Sequence, residues 1–206
     1  MGAALRHMLA ARARLLPLIL AALCGVLVLQ SLTSWSASLL IRMHALTPPQ
    51  AGYRVGIAMM LAGAGGHALG GLLADRRARG GREPAPLLML IGLALCTLAL
   101  WPLTRTDSLM VALAALVVAV TGLSIALANG MIGLQARIPP ALRVEGTAIF
   151  LTIVTLLGTA LGPWAVGLAS QAIAGPTGLA EAIGRVLGAT CLLGCAAAWV
   201  AGRRTV

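Results

Sequence analysis

The sequence contains no lysine, few acids and very few aromatic side chains. All fifteen basic residues are arginine, and five acids leave a formal net charge of +10. Only 10% of the residues are charged, against about 25% in soluble domains, while 60% are hydrophobic. This composition excludes an ordinary soluble domain and indicates an integral membrane protein. Nucleic-acid binding is not expected either, because it requires a solvated basic surface with aromatic side chains that stack on bases.

No pattern of catalytic or metal-binding residues accompanies this composition. All four cysteines lie inside apolar segments without neighbouring metal ligands, and they are expected to pack as small hydrophobic side chains; they are Cys24, Cys96, Cys191 and Cys195. There is no HExxH, no pair of acids within a span and no Ser/His pairing at a recognisable spacing. The sequence therefore predicts neither an enzyme nor a bound cofactor or metal.

Six apolar segments are long enough to cross a bilayer, which requires about 20 residues per helix. They cover approximately residues 15–40, 52–74, 86–103, 108–135, 147–173 and 183–201. Four of the five linkers between them contain proline or glycine, the linker 104–107 is a short polar hairpin, and none is long or polar enough to form a soluble domain. The sequence predicts an all-α membrane protein, a single six-helix bundle over residues 1–206.

The arginines predict how this bundle lies in the membrane. Eleven fall on the side that holds both termini and the loops after spans two and four. Four fall on the opposite side, namely Arg42, Arg54, Arg105 and Arg185. By the positive-inside rule, both termini are expected in the cytoplasm, in a bacterial inner membrane. A cleaved signal peptide is not expected, because the first apolar run is longer than the hydrophobic region of a signal.

Two glycine-rich helices predict an internal repeat. Residues 66–71 (GHALGG) and 158–163 (GTALGP) are identical at four of six positions. Gly66 and Gly70 in span two, and Gly158 and Gly162 in span five, form faces of small residues on which helices pack closely. The match relates the middle helix of spans one to three with the middle helix of spans four to six. It therefore predicts a 3+3 inverted repeat.

The end of span two carries the densest charge in the chain and resembles a known loop motif. The motif is Gly-x-Leu-Ala-Asp-Arg-x-Gly-Arg-Arg, found between the second and third helices of each half of the major facilitator superfamily. Its matching residues here are Gly71, Leu73, Asp75, Arg76 and Arg79. Ala78 and Gly80 depart from the motif, and Arg82 can stand in for the basic residue missing at position 80.

Two further stretches resemble the spinster-like branch of this superfamily. Residues 42–52 are similar to the loop after the seventh helix, and residues 157–167 are similar to the eleventh helix. The resemblance implies helices seven to twelve, the C-terminal half of a twelve-helix transporter. It leaves open whether the chain belongs to a longer or split gene, or pairs with a missing N-terminal half or a second copy of itself.

The resemblance also implies a role for four residues at the end of span two, which we call the predicted latch: Gly71, Asp75, Arg76 and Arg79. The Asp75 carboxylate would cap the N terminus of a helix in the other half, where free N–H groups and the helix dipole favour an anion. Arg76 and Arg79 would add charge pairs with the same half of the transporter. Together these contacts would hold one conformation and release in the other. The alternative is an ordinary cytoplasmic basic loop with an incidental acid.

Polar residues inside the spans are the candidates for a substrate cavity, because such residues are costly in the membrane. They are Gln30, Ser34, His67 and Asn129. The resemblance places Gln30 and Asn129 on cavity-lining helices. His67 would suit proton coupling, because histidine can gain and lose a proton, and the alternative is a packed histidine bonded to backbone. No acid lies deep within a span, and the remaining cavity is apolar.

The predicted function is secondary active transport, by antiport or symport, of a small organic solute across the lipid bilayer. The solute is expected to be amphipathic or anionic, and the chain would form half of an alternating-access transporter. The alternative is a membrane fragment or accessory subunit that does not transport and only assembles with a partner half.

Overall fold

The structure, a computed structural model, describes residues 2–81, 83–173, 175 and 177–203. Its helices are α1 (Gly2–Ala10), α2 (Arg12–His44), α3 (Pro48–Arg79), α4 (Ala85–Arg105), α5 (Leu109–Arg137), α6 (Arg143–Ala172) and α7 (Gly178–Arg203). A 3-10 turn, Pro140–Leu142, precedes α6. Helices α2 to α7 are long and apolar enough to cross a membrane, which agrees with the six predicted transmembrane helices.

Several helices extend beyond their apolar segments into charged sequence. Helix α3 continues to Arg79, so the predicted latch lies on the last turns of a helix and not in a loop. Arg82, which the sequence offered as a stand-in for a motif residue, lies outside the described residues, as does Arg204. The short helix α1 was not predicted; it separates from α2 at Ala11, and its Ala4 and Met8 are buried.

The turn between α2 and α3 shows how local sequence sets the helix ends. Helix α2 ends at His44, and Ala45 takes the left-handed backbone conformation with φ 50°. Pro48 and Pro49 then open α3, where a missing N–H costs nothing. The Gln50 side-chain oxygen accepts a 3.3 Å hydrogen bond from the Thr47 backbone N–H, which closes the first turn.

The six long helices pack in the symmetric way expected of an inverted repeat. Helix α3, the middle helix of the first three, packs mainly against α5, the first helix of the second three. Helix α6, the middle helix of the second three, packs mainly against α2, the first helix of the first three. The third helices, α4 and α7, pack against each other. Each middle helix is thus held by the opposite repeat.

Glycine sets how closely each middle helix approaches its neighbour. A Cβ added to Gly66 of α3 would lie 2.7 Å from the Thr121 carbonyl oxygen of α5. A Cβ added to Gly162 of α6 would lie 2.5 Å from the Leu27 carbonyl oxygen of α2. Gly70 and Gly158 face the same two neighbours. Both joints therefore have backbone against backbone, as small residues permit in membrane helices.

A tryptophan and an arginine stack at the C-terminal end of each third helix. The Arg105 guanidinium lies 3.9 Å from the ring centre of Trp101 on α4. The Arg203 guanidinium lies 3.7 Å from the ring centre of Trp199 on α7. Because α4 and α7 run in opposite directions, the two pairs lie at opposite ends of the bundle. Amphipathic tryptophan and arginine side chains of this kind favour the membrane–water interface.

Candidate functional site

The predicted latch is exposed at the C-terminal end of α3. The side chains of Asp75, Arg76 and Arg79 are exposed, and a Cβ added to Gly71 would meet nothing within 4 Å. The Asp75 carboxylate makes no hydrogen bond or ion pair with any described residue. A carboxylate near the C terminus of its own helix is disfavoured by that helix's dipole. Asp75 is therefore a carboxylate at an unfavourable helix end, without a stabilising partner among the described residues.

An ion pair that sequence reasoning missed lies directly after the predicted latch. Glu83 follows α3, and its carboxylate lies 2.5 Å from the Arg137 guanidinium at the end of α5. Only 10% of the Arg137 side chain is exposed, and the same guanidinium nitrogen donates to the Gly133 carbonyl oxygen at 2.9 Å. The alternation of spans predicted that both residues lie at the same end of the bundle. However, Arg137 was considered only as one of the arginines that set the orientation in the membrane. The pair fixes the segment after the predicted latch to α5.

Small and polar residues follow one side of α3 that the other helices leave open. Gly56, Gly63, His67, Gly71 and Asp75 recur at spacings of seven and four, so they lie on one side of the helix. A Cβ added to any of the three glycines would meet nothing within 4 Å, and His67 and Asp75 are exposed. We call these five residues the open stripe of α3. Glycine is costly within a helix unless another backbone approaches it closely.

The polar residues predicted on α2 divide between a helix contact and an exposed face. Gln30 is half-buried, and its side-chain nitrogen donates a 3.0 Å hydrogen bond to the Thr159 hydroxyl on α6. One turn further, Trp35 donates its indole N–H to the Pro163 carbonyl oxygen at 3.0 Å. Ser34 is exposed. Gln30 and Trp35 thus join α2 to α6, the joint that also contains Gly162.

The two other cavity candidates lie at different depths of the bundle. His67 is exposed on the open stripe of α3, with its Nδ1 atom 2.9 Å from the Gly63 carbonyl oxygen. Asn129 is fully buried between α5 and α3, and its amide nitrogen donates to the Ile125 and Gly70 carbonyl oxygens at 2.9 and 3.3 Å. No hydrogen bond joins any two of the four cavity candidates. Their shared role in a cavity stays a prediction.

The cysteines come closer together than the sequence indicated. The Cys96 and Cys191 sulfurs lie 3.7 Å apart between α4 and α7, and both residues are buried. Cys191 and Cys195 are four residues apart and share a face of α7, but no sequence spacing indicates the contact with α4. Within the described residues, no group of three or more His, Cys, Asp or Glu side chains is arranged to hold a metal ion.

Comparison with known proteins decides the family. The sequence profile described as Major Facilitator Superfamily matches residues 2–163, which is most of the chain. The chain belongs to the major facilitator superfamily. The recognition made from the motif at Gly71–Arg79 is thereby confirmed. No curated protein sequence matches this member of the superfamily.

Two solved structures show the same fold as this major facilitator chain. Both are crystal structures of a bacterial homolog to the human lysosomal transporter Spinster in an inward-facing conformation. The occupied form has a TM-score of 0.81 at 23% identity, with 93% of this chain and 49% of that chain covered. The unoccupied form has a TM-score of 0.84 at 24% identity, with 98% and 50% covered. The chain spans about half the length of these structures.

Proposed function

We propose that the chain is one half of an alternating-access secondary transporter for a small organic solute, and that it corresponds to the C-terminal half. The superfamily supports transport as the general activity, and the likeness to half of a Spinster homolog supports the six-helix unit. The observation that carries the proposal is the open stripe of α3. It offers a glycine-lined face, ending in the Asp75 carboxylate, for a helix of a second half.

The predicted latch fits this arrangement. A helix that approached along Gly63 and Gly71 would bring its end close to Asp75, and an N terminus there would supply free N–H groups. Arg76 and Arg79 would pair with acids of the second half in the same conformation. Opening of that end would break these contacts together, so the latch would favour one of the two access states.

The orientation that follows has both termini and the predicted latch in the cytoplasm. Described arginines are concentrated at that end of the bundle: Arg6, Arg12, Arg14, Arg76, Arg77, Arg79, Arg137, Arg143 and Arg203. An excess of arginine at the cytoplasmic end is typical of inner-membrane proteins. In the same arrangement Gln30, Ser34, His67 and Asn129 are the proposed substrate-path residues. The proposed solute is amphipathic or anionic, because these residues offer few polar groups in apolar surroundings.

The alternative function is a membrane fragment or accessory subunit that assembles without transporting. The exposed apolar side chains of α3 and α6 favour neither function over the other, because lipid would cover them as well as a second half would. The two readings differ in what contacts the open stripe of α3 and in whether the Asp75 charge affects solute movement.

Cross-linking in membranes tests the proposed half-transporter. In a variant without native cysteines, Gly63→Cys carrying a short maleimide–diazirine cross-linker should, on illumination, cross-link to a second polypeptide, either another half or a second copy. Leu98→Cys, at a 73% exposed position on α4, is the matched control and should remain uncross-linked. Equal behaviour of the two variants would contradict a second half on α3.

A transport assay then distinguishes the half-transporter from the accessory subunit. The assembly identified by cross-linking, reconstituted in vesicles without the cross-linker, should accumulate labelled organic anions or single-chain amphiphiles from a panel. Asp75→Asn should change the rate of accumulation or the accessibility of Gly63→Cys to a soluble maleimide. Asp107→Asn removes a carboxylate at the opposite end and should change neither. An assembly that forms but moves no solute supports the accessory subunit.

A further inference from the structure

A cavity of about 860 Å³ opens at the end of the bundle opposite Asp75, away from the predicted substrate residues. It lies between the C-terminal end of α4 and the N-terminal half of α7, with the end of α2 behind them. Gln30, Ser34, His67 and Asn129 do not line it. The cavity is therefore a separate feature from the proposed substrate path.

Three arginines line this cavity, and they are three of the four that depart from the positive-inside bias. They are Arg42, Arg105 and Arg185, each contributed by a different helix. Arginine on the sparsely charged side of a membrane protein is not explained by orientation, because the bias places arginine on the other side. Convergence on one cavity gives these three charges a common location and points to an anionic ligand.

The charges of the cavity leave two guanidinium groups available. Arg185 is paired with Glu181 at 2.6 Å, whereas Arg42 and Arg105 have no carboxylate partner among the described residues. Asp107 also lines the cavity and forms no ion pair with a described residue. Three arginines and two acids give a net charge of +1. Planar guanidinium groups bind phosphate oxygens in pairs, which makes phosphate the chemistry that Arg42 and Arg105 fit best.

The rest of the cavity fits an apolar chain. Leu100, Met43 and the Trp101 ring contribute its apolar wall. Gly184 and Gly188, one turn apart on α7, lack side chains where the groove passes between α4 and α7. A Cβ added to Gly188 would meet nothing within 4 Å, so the space beside it is open. Trp101 stacks on Arg105 and is 64% exposed, which places the cavity entrance at headgroup depth.

We propose that this cavity binds the phosphate headgroup of a membrane amphiphile, with Arg42 and Arg105 on the phosphate and an acyl chain along Gly188. Basic pockets between transmembrane helices bind anionic lipid headgroups in this way. The ligand enters from the surrounding bilayer, because the groove lies between α4 and α7, whereas α3, which carries the open stripe, packs mainly on α5. The site requires neither a second half nor transport.

Native mass spectrometry of the detergent-purified chain tests this site. The probes are a phosphatidylglycerol and the diacylglycerol with the same acyl chains, which lacks the phosphate headgroup. The wild-type chain should retain the phosphatidylglycerol and release the diacylglycerol. Arg42→Gln with Arg105→Gln should weaken phosphatidylglycerol binding by about tenfold or more, since charge-assisted hydrogen bonds are lost. Arg54→Gln, which removes an arginine outside the cavity at the same end, should have little effect.

A second variant tests the site without changing its charge. Gly188→Leu places a side chain in the open groove and should weaken phosphatidylglycerol binding to a similar degree. Its circular dichroism should match the wild type, because nothing lies against Gly188. If the arginine variant loses helical structure, Gly188→Leu decides the question. Unchanged binding in a folded Gly188→Leu chain would overturn the proposal.

Free phosphate distinguishes the source of the headgroup. Millimolar inorganic phosphate should not displace phosphatidylglycerol, because the acyl chain contributes to binding. Displacement would assign the cavity to a soluble phosphate compound and overturn the lipid assignment. Equal retention of phosphatidylglycerol and diacylglycerol, or an equal loss in Arg54→Gln, would overturn phosphate recognition at Arg42 and Arg105.

Discussion

The Arg137 guanidinium lies 2.5 Å from the Glu83 carboxylate and joins the end of α5 to the segment between α3 and α4. The predicted latch occupies the turns of α3 just before this ion pair. The residues of the predicted latch are therefore linked to α5 through Glu83 on one side and through the α3–α5 joint at Gly66 on the other. The pair has energetic consequences that can be measured on the chain alone.

Neutralising Glu83 should destabilise the bundle. Glu83→Gln leaves the nearly buried Arg137 guanidinium without its carboxylate, and unpaired buried groups of this kind cost about 1–3 kcal/mol. The free energy of unfolding, measured by SDS titration in detergent micelles without added lipid, should fall by that amount.

The chain provides a matched control in an exposed ion pair. Glu181 and Arg185 lie at i and i+4 on α7 with a similar separation of 2.6 Å, but the Arg185 side chain is 71% exposed. Glu181→Gln should change the free energy of unfolding by about 0.5 kcal/mol or less, as exposed pairs do. A loss in Glu181→Gln as large as that in Glu83→Gln would contradict the structural role given to Arg137.

Adjacent glycines on α3 should respond in opposite ways to alanine. Gly66→Ala places a methyl group against the Thr121 carbonyl of α5, and overpacking against backbone costs about 1–3 kcal/mol. Gly65→Ala meets nothing within 4 Å and should be neutral or stabilising by up to about 1 kcal/mol, since alanine favours helix. SDS unfolding of the two variants measures the difference. Equal stabilities would mean that α3 does not pack on α5 through Gly66.

Asn129 should contribute to stability through its amide. Asn129→Ala removes the hydrogen bonds to the Ile125 and Gly70 carbonyls and leaves a gap between α5 and α3. Hydrogen bonds of this kind contribute about 0.5–1.5 kcal/mol each, so the loss of both should lower the free energy of unfolding by about 1–3 kcal/mol. Gln135→Ala, at an exposed position of the same helix, should stay within about 0.5 kcal/mol. If Asn129→Ala is equally neutral, the amide does not bind the α3 backbone.

The sequence predicted the helices well because their signal is local. Apolar length defined α2 to α7, and the repeat at Gly66 and Gly158 indicated which helices would pack through glycine. What it missed depends on contacts between distant residues. Gly92 and Gly122 bring the backbones of α4 and α5 together, yet each reads alone as one glycine in an apolar run. Likewise, nothing in the spacing of Cys96 and Cys191 predicts adjacent sulfurs.

The candidate site was predicted in part for the same reason. A motif of contiguous residues identified Asp75 and its arginines, and their exposure follows from their position at a helix end. The hydrogen-bond partners of two polar side chains within the spans could be identified only from the fold: Thr159 for Gln30, and Gly70 for Asn129. The convergence of Arg42, Arg105 and Arg185 on one cavity also required it, since they lie on three helices separated by most of the chain.

The two stacked pairs, Trp101 with Arg105 and Trp199 with Arg203, set a thickness for the membrane that suits this protein. Helix α4 has 21 residues, which corresponds to about 31 Å at the usual helical rise and is close to the hydrocarbon thickness of a bilayer. A thicker or thinner bilayer would move one ring away from its interface, at a cost of a fraction of a kcal/mol per ångström. Among membranes of different lipid chain length, the protein should therefore favour those in which both rings lie at the membrane–water interface. Its tilt should be smallest in those membranes.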